Sequence, residues 1–152
     1  MNKCIRYLET PIGILEIIGS DNFVDSIMFV SDIKENIGNG ECSKAYTQLN
    51  EYFLGSRKTF DLNLNVDGTS FQQLSWDALR TIPYGKTINY KDQAVIIKKP
   101  NASRAVGNAN SKNKFTIVIP CHRVIGKNKE LRGYNNGITK KAWLLEHEKK
   151  NG

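Results

Sequence analysis

Cys121 stands after the apolar run Phe115-Thr116-Ile117-Val118-Ile119 and Pro120, and His122 and Arg123 follow it. A cysteine delivered by an apolar strand can be held at the floor of a pocket. Its chemistry there would be nucleophilic. A free thiol has a pKa of about 8.5 and attacks as the thiolate, so it needs a base and an anion-stabilising setting. His122 is the natural proton acceptor, directly or through a bridging water, because adjacent side chains do not simply point at each other. Glu148, near the chain end, can fold back on a helix and orient the imidazole. That completes a nucleophile, a base and an orienter. The residues alone leave two other readings open: a buried inert cysteine beside a structural histidine, and a cysteine-dependent hydrolase using Cys121 and His122.

Other chemistries find few residues. Three cysteines, Cys4, Cys42 and Cys121, cannot all pair internally, and their spacing is not that of a disulfide framework or a zinc site. His122 and His147 are the only histidines, so no metal or cofactor is expected. The chain is 39% hydrophobic and 24% charged, which is not a disordered composition. No apolar run is long enough to cross a bilayer, and the N-terminal MNKCIRYLET lacks a signal-peptide core, so a cytoplasmic protein is expected. The net charge of +7 is uneven. Residues 1–70 hold 6 Lys+Arg and 10 Asp+Glu, a net of −4, and residues 71–152 hold 16 and 5, a net of +11. A polyanion such as nucleic acid suits that second half, although basic surfaces also serve solubility.

The elements that must position these residues read as follows. Cys4–Leu8, Ile12–Ile18 and Phe23–Val30 form an antiparallel meander with breaks at Thr10-Pro11 and Gly19–Asn22. Ala45, Tyr46, Leu49, Tyr52 and Phe53 recur at helical spacing over Glu41–Leu54, which Gly55 stops. Phe60, Leu62, Leu64 and Val66 alternate as one more strand. This makes a small α+β domain over 1–68. The remainder, 69–152, is mostly helical. It has a helix over Ser70–Ile82, a short helix capped by Asn89 with Asp92 in a capping box, a break at Lys98-Lys99-Pro100, and a second short helix from Ser103 to about Asn110. Two short helices joined by a tight break are a helix-turn-helix candidate. A terminal helix runs from Thr139 to about His147.

The ordered pieces Phe71-Gln72-Gln73 with Trp76, Ile82-Pro83-Tyr84-Gly85-Lys86-Thr87, Tyr90, Arg104-Ala105-Val106-Gly107, Asn113, Pro120-Cys121-His122-Arg123-Val124, Gly133-Tyr134 and Lys141 to Glu148 are similar to one family. The chain resembles the O6-alkylguanine-DNA alkyltransferases, also called methylated-DNA–protein-cysteine methyltransferases. The resemblance covers residues 70–150 and, more loosely, the first region.

That resemblance implies a ribonuclease H-like N-terminal domain and a C-terminal domain with a winged-helix-like helix-turn-helix. It implies direct-reversal DNA repair: Cys121 takes an alkyl group, chiefly methyl, from O6 of guanine and also from O4 of thymine, once and irreversibly. Proton flow would run from Cys121 through water to His122, with Glu148 orienting and Asn113 bracing the loop. Tyr90 would donate to guanine N3, Tyr134 would lie against the base, and the Asn135 amide would meet O6. The carbonyls of Cys121 and Val124 would accept from the exocyclic amine, and Asn136 and Trp76 belong with the base-binding set. The residue types alone also allow both tyrosines to be ordinary packing. The partner would be double-stranded DNA carrying O6-alkylguanine, entered from the minor groove with the nucleotide flipped out. Arg104 would fill the gap, Ala105 and Gly107 would permit close approach, and Arg123 and Lys112 would reach phosphates. A monomer without an obligate protein partner is expected.

The pattern is departed from at Asn89 (usually serine), at Lys114 (usually proline), at Lys98-Lys99, and at Asn136, where small residues are common and bulky adducts would be less tolerated. A first region without histidine argues against the structural zinc some members carry. The rival function is a non-catalytic, alkyltransferase-like damage-binding protein; such proteins lack the acceptor cysteine that stands here at 121.

Overall fold

Alternation of apolar and polar side chains builds the first three elements. Strands β1 (Lys3–Thr10), β2 (Gly13–Ser20) and β3 (Val24–Val30) form an antiparallel sheet in the order β1-β2-β3. Lys3 pairs with Ser20 and Thr10 with Gly13, and Leu15 and Ile17 face the core from alternate positions. The register shifts between Ile18 and Gly19. A Cβ on Gly19 would lie 2.2 Å from Phe23 O, so only glycine fits this bulge. Helix α1 (Glu41–Phe53) buries Cys42, Ala45, Leu49 and Tyr52, a 3-4-3 stripe, against the sheet.

The computed structural model describes residues 2–131, Tyr134 and 136–152, and the chain divides into two compact units. The first comprises the residues up to Val66 with Lys114–Val118; the second comprises Asp67–Asn113 and Ile119–Gly152.

Three expectations change in the first unit. The strand expected over 60–66 is one isolated parallel bridge, Leu64 with Val24. Side chains of α1 hold the rest of that segment instead: Gln48 bonds both the N–H and the C=O of Asp61, and Glu41 accepts from the Asn63 N–H. The apolar run at 115–119 does not continue as a strand. The Ile27 N–H donates to Lys114 O, the Thr116 N–H donates to Ile27 O, and Ile117 at φ 74° turns the chain away. Finally, Cys4 and Cys42 form a disulfide with Cα atoms 6.0 Å apart. Their separation of 38 residues carried no trace of it, since the pairing follows from α1 packing on β1.

The second unit is framed by helices. Helix α2 (Ser70–Leu79) opens with a capping box between Thr69 and Gln72 and ends three residues before Ile82. Strand β4 (Ile88–Asn89) leads into α3 (Tyr90–Ile96), whose capping box pairs Asn89 with Asp92 as expected. The turn to α4 (Ser103–Asn110) begins with Lys98 at φ 62°. There the Lys99 N–H reaches Ala94 O and the Lys98 N–H reaches Val95 O, a Schellman cap with lysine at the glycine position. Strand β5 (Val124–Ile125) lies parallel to β4, and α5 (Ile138–Asn151) extends past the expected His147. Leu79, Ala94, Val106, Ile119, Val124 and Leu144 form this unit's core. No helix among the described residues is long and apolar enough to cross a membrane.

Candidate functional site

Cys121 opens a single 3-10 turn, Cys121–Arg123, that links Pro120 to β5. Asn113, three residues beyond α4, donates through Nδ2 to Ile119 O at 2.8 Å and to Cys121 Sγ at 3.4 Å. One amide therefore braces the loop and touches the thiol. Cys121 is the free cysteine. Burial pushes its thiol above the ordinary value; the Asn113 bond, the Lys141 charge and its own backbone N–H oppose this without overcoming it. The resting group is a thiol, and its reaction requires removal of a proton.

His122 is fully buried, and its Nε2 lies 2.6 Å from Glu148 Oε2. Burial lowers the imidazole pKa, with Glu148 opposing. Burial alone would raise the Glu148 carboxyl, but His122 and Arg123 outweigh it and hold it well below the usual carboxylate range. An ionised Glu148 fixes the His122 proton on Nε2. Nδ1 is then the basic atom, and it meets no hydrogen-bond partner among the described residues. Glu148 is further gripped by Arg123, Nε to Oε1 at 2.8 Å and Nη2 to Oε2 at 3.0 Å, and by the Gly85 N–H at 3.1 Å. Arg123 Nη1 also donates to Ile82 O at 2.8 Å. The buried carboxylate is thus paired and fully hydrogen-bonded, which is what makes it tolerable in the interior.

The parallel pairing of Ile88 with Val124 and of Asn89 with Ile125 sets Tyr90, the first residue of α3, beside the chain leaving Cys121. Lys141 of α5 is 1% exposed; its Nζ donates to Val124 O and lies 6.0 Å from the Tyr90 ring centre. Burial brings its pKa down to about 8, with negative charge at Cys121 acting to raise it. Tyr134 is buried; desolvation, then the negative charge of Cys121, raises its phenol, and a bond with Asn136 opposes this. Asn135 lies outside the described residues.

Helix α4 exposes Arg104 and Ala105, and Lys112 is exposed just beyond it. Gly107 instead turns its open side to the Tyr90 ring, where a Cβ would meet ring carbons at 3.5 Å. An open cleft of about 220 Å³ is lined by Asn89, Tyr90, Lys91, Ser103 and Lys127.

Two expected roles need correction. Arg123 does not reach DNA phosphates: it is 6% exposed and its donors are engaged by Glu148 and Ile82. Trp76 does not line a base pocket. It is 5% exposed, its Nε1 donates to Ala109 O, and its ring abuts Gly68, so it is a core residue between α2 and α4.

The bracing role of Lys141 and the clamping role of Arg123 escape a reading of motifs. A signal for the lysine was present, since Lys141, Leu144 and Glu148 fall at spacings of three and four on one face of α5. Charged residues on a core-facing stripe need buried partners.

Residues 70–150 match the family model described as 6-O-methylguanine DNA methyltransferase, DNA binding domain. The chain is 42% identical over 150 residues to a methylated-DNA–protein-cysteine methyltransferase of Mycobacterium leprae, covering 95% of this chain and 91% of that one. It is 44% identical over 152 residues to the constitutive methylated-DNA–protein-cysteine methyltransferase of Bacillus subtilis, covering 93% and 92%. Its fold is similar to the crystal structure of Mycobacterium tuberculosis O6-methylguanine methyltransferase, with a TM-score of 0.88 at 40% identity over 99% of this chain and 94% of that one. It is similar also to that organism's OGT in complex with DNA, with a TM-score of 0.89 at 41% identity over 97% and 94%. With a half-buried thiol beside a buried imidazole–carboxylate pair, and with this likeness along the whole chain, the protein belongs to the methylated-DNA–protein-cysteine methyltransferase family.

Proposed function

We propose that this chain repairs DNA by direct reversal, moving an alkyl group from O6 of guanine, and also from O4 of thymine, to Sγ of Cys121. His122 Nδ1 takes the thiol proton through a water, and Glu148 stabilises the imidazolium that forms. The thiolate attacks the alkyl carbon, the C–O bond breaks, and guanine leaves with its developing charge met by donors. Tyr90 supplies one donor at N3. Tyr134 packs the base. The Val124 carbonyl, already braced by Lys141, keeps a second lone pair for the exocyclic amine. The thioether is stable, so each molecule acts once. The observation that carries this reading is the free thiol of Cys121, bonded by Asn113, next in sequence to an imidazole whose proton Glu148 fixes on Nε2.

Duplex DNA is the partner, entered from the minor groove with the damaged nucleotide extracted. Arg104 on exposed α4 fills the gap, Ala105 lies against the groove, and Lys112 meets a phosphate. The net of +11 over residues 71–152 supports this assignment. We take α3 and α4 with the β4–β5 pair as a winged-helix-like module, and the meander with α1 as a ribonuclease H-like domain. Divided at residues 68 and 69, the chain is a structural domain followed by a DNA-binding, alkyl-accepting one.

Excess duplex containing O6-methylguanine tests the reading. One methyl group per molecule, on the peptide containing Cys121 and followed by loss of activity, is expected. Repeated turnover would refute it.

A further inference from the structure

Gln93 on α3 and Asn110, the last residue of α4, face each other inside the second unit and are 0% and 5% exposed. Gln93 Nε2 donates to Asn110 Oδ1 at 2.9 Å, and Asn110 Nδ2 donates back to Gln93 Oε1 at 2.8 Å. Gln93 Nε2 also donates to Ser75 O of α2 at 3.0 Å. This third bond sets the direction of the pair, because turning both amides over would aim Gln93 Oε1 at the Ser75 carbonyl. One peptide bond away, Trp76 Nε1 donates to Ala109 O. The C-terminal end of α4 is therefore held by directional bonds to both α2 and α3. Its N-terminal end has no side-chain cap, and Ala102 occupies the cap position.

Apolar contacts are non-directional and allow helices to slide; a reciprocal amide pair has one satisfied geometry, and its failure leaves buried polar atoms unpaired. Arg104 precedes Asn110 by six residues, about 9 Å along the axis at 1.5 Å per residue. A tilt of about 10° at the held end would displace it by about 1.5 Å. Errors of that size in a positioned group cost up to about a hundredfold in rate.

We propose that the Gln93–Asn110 amide pair is a positioning latch that sets the angle at which α4 presents Arg104 to the duplex. The proposal rests on the reading of α4 given above. The side-chain bonds of Gln93 and Asn110 go to each other and to Ser75, not to Cys121, His122 or Glu148, so the latch acts on nucleotide extraction and not on transfer.

Second-order rates are to be measured on duplex containing O6-methylguanine and on the free O6-methylguanine base. Gln93→Leu with Asn110→Leu replaces both amides by apolar side chains together, so that neither is left buried without its partner. Its duplex rate should fall about tenfold or more while the free-base rate holds. The exchange Gln93→Asn with Asn110→Gln, which restores the pair, should recover most of the duplex rate. In an Arg104→Ala background the double leucine change should cost nothing further on duplex. Equal losses on both substrates, or no loss on duplex, overturn the latch. If Arg104→Ala alone slows both substrates equally, the reading of α4 has failed, and the latch falls with it. That outcome is distinct from a duplex-selective Arg104→Ala paired with a silent double leucine variant, which refutes the latch alone. Should the double leucine variant not fold, Gln93→Met is read by the same comparison.

Discussion

His122 Nε2 donates to Glu148 Oε2 at 2.6 Å, with both side chains fully buried. The bond decides which face of the imidazole is basic. It also joins the residue next to the Cys121 thiol to the last turns of α5, 26 positions away in sequence. Arg123 holds the same carboxylate, so two consecutive residues of one 3-10 turn share a single anion.

Glu148→Gln keeps the shape and removes the charge. Arg123 is then buried without its counter-ion, which costs about 3–5 kcal/mol, and His122 loses the group that sets its tautomer. By analogy with replacing the buried carboxylate of a hydrolytic triad, transfer should slow by about 100-fold or more. Denaturant melts and single-turnover rates measure the two effects separately. Unchanged rates in a folded variant would remove Glu148 from the mechanism.

Acid should destabilise the protein in two stages. His122 is held below its ordinary value when folded, so the unfolded chain takes up protons first once the pH drops below about 6.5. The Glu148 carboxyl is also held low; its stabilisation is present above about pH 4.3 and is lost as the pH falls through its folded value. Both terms have the same sign. Melting temperature should decline below about pH 6.5 and again below about 4.3, and Glu148→Gln should flatten the lower limb. A wild-type melting temperature constant from pH 7 to 4 contradicts this.

Lys98→Gly should stabilise the fold. Gly55 and Lys98 sit at the same position of two Schellman caps, with φ 84° and 62°. The α1 cap is completed by Ser56 N to Glu51 O, and the α3 cap by Lys99 N to Ala94 O. A side chain in this region costs about 1–2 kcal/mol, offset in part by the greater freedom glycine loses on folding. A net gain of about 0.5–1 kcal/mol is expected in urea melts; a loss would show that the Lys98 side chain stabilises this turn.

Arg104→Ala should slow repair in duplex far more than transfer from the free base, because extraction costs a few kcal/mol of unstacking that only duplex requires. Lysine at 104 should rescue partly, since it keeps the charge and loses the planar fork. Lys112→Glu should weaken binding to any duplex and lower the salt slope by about one. Equal losses of Arg104→Ala on both substrates would move Arg104 out of the DNA face.

Local signals determined much of this protein. The meander, α1, the Asn89–Asp92 capping box and the α3–α4 break follow from alternation, helical spacing and cap residues, which act over a few positions. Cys121 and His122 stand out in the sequence because they are adjacent in the chain. Tertiary structure alone decided the rest, wherever a group's partner is distant in sequence. A basic side chain beside His122 reads as a DNA contact until Glu148 and Ile82 are seen to surround it. An alternating segment at 60–66 reads as a strand until Gln48 and Glu41 take its backbone bonds. Cys4 and Cys42 read as separate thiols until α1 lies on β1. In each case the competing partner is a side chain or backbone atom brought in by folding, and periodicity carries no information about which atoms will be near.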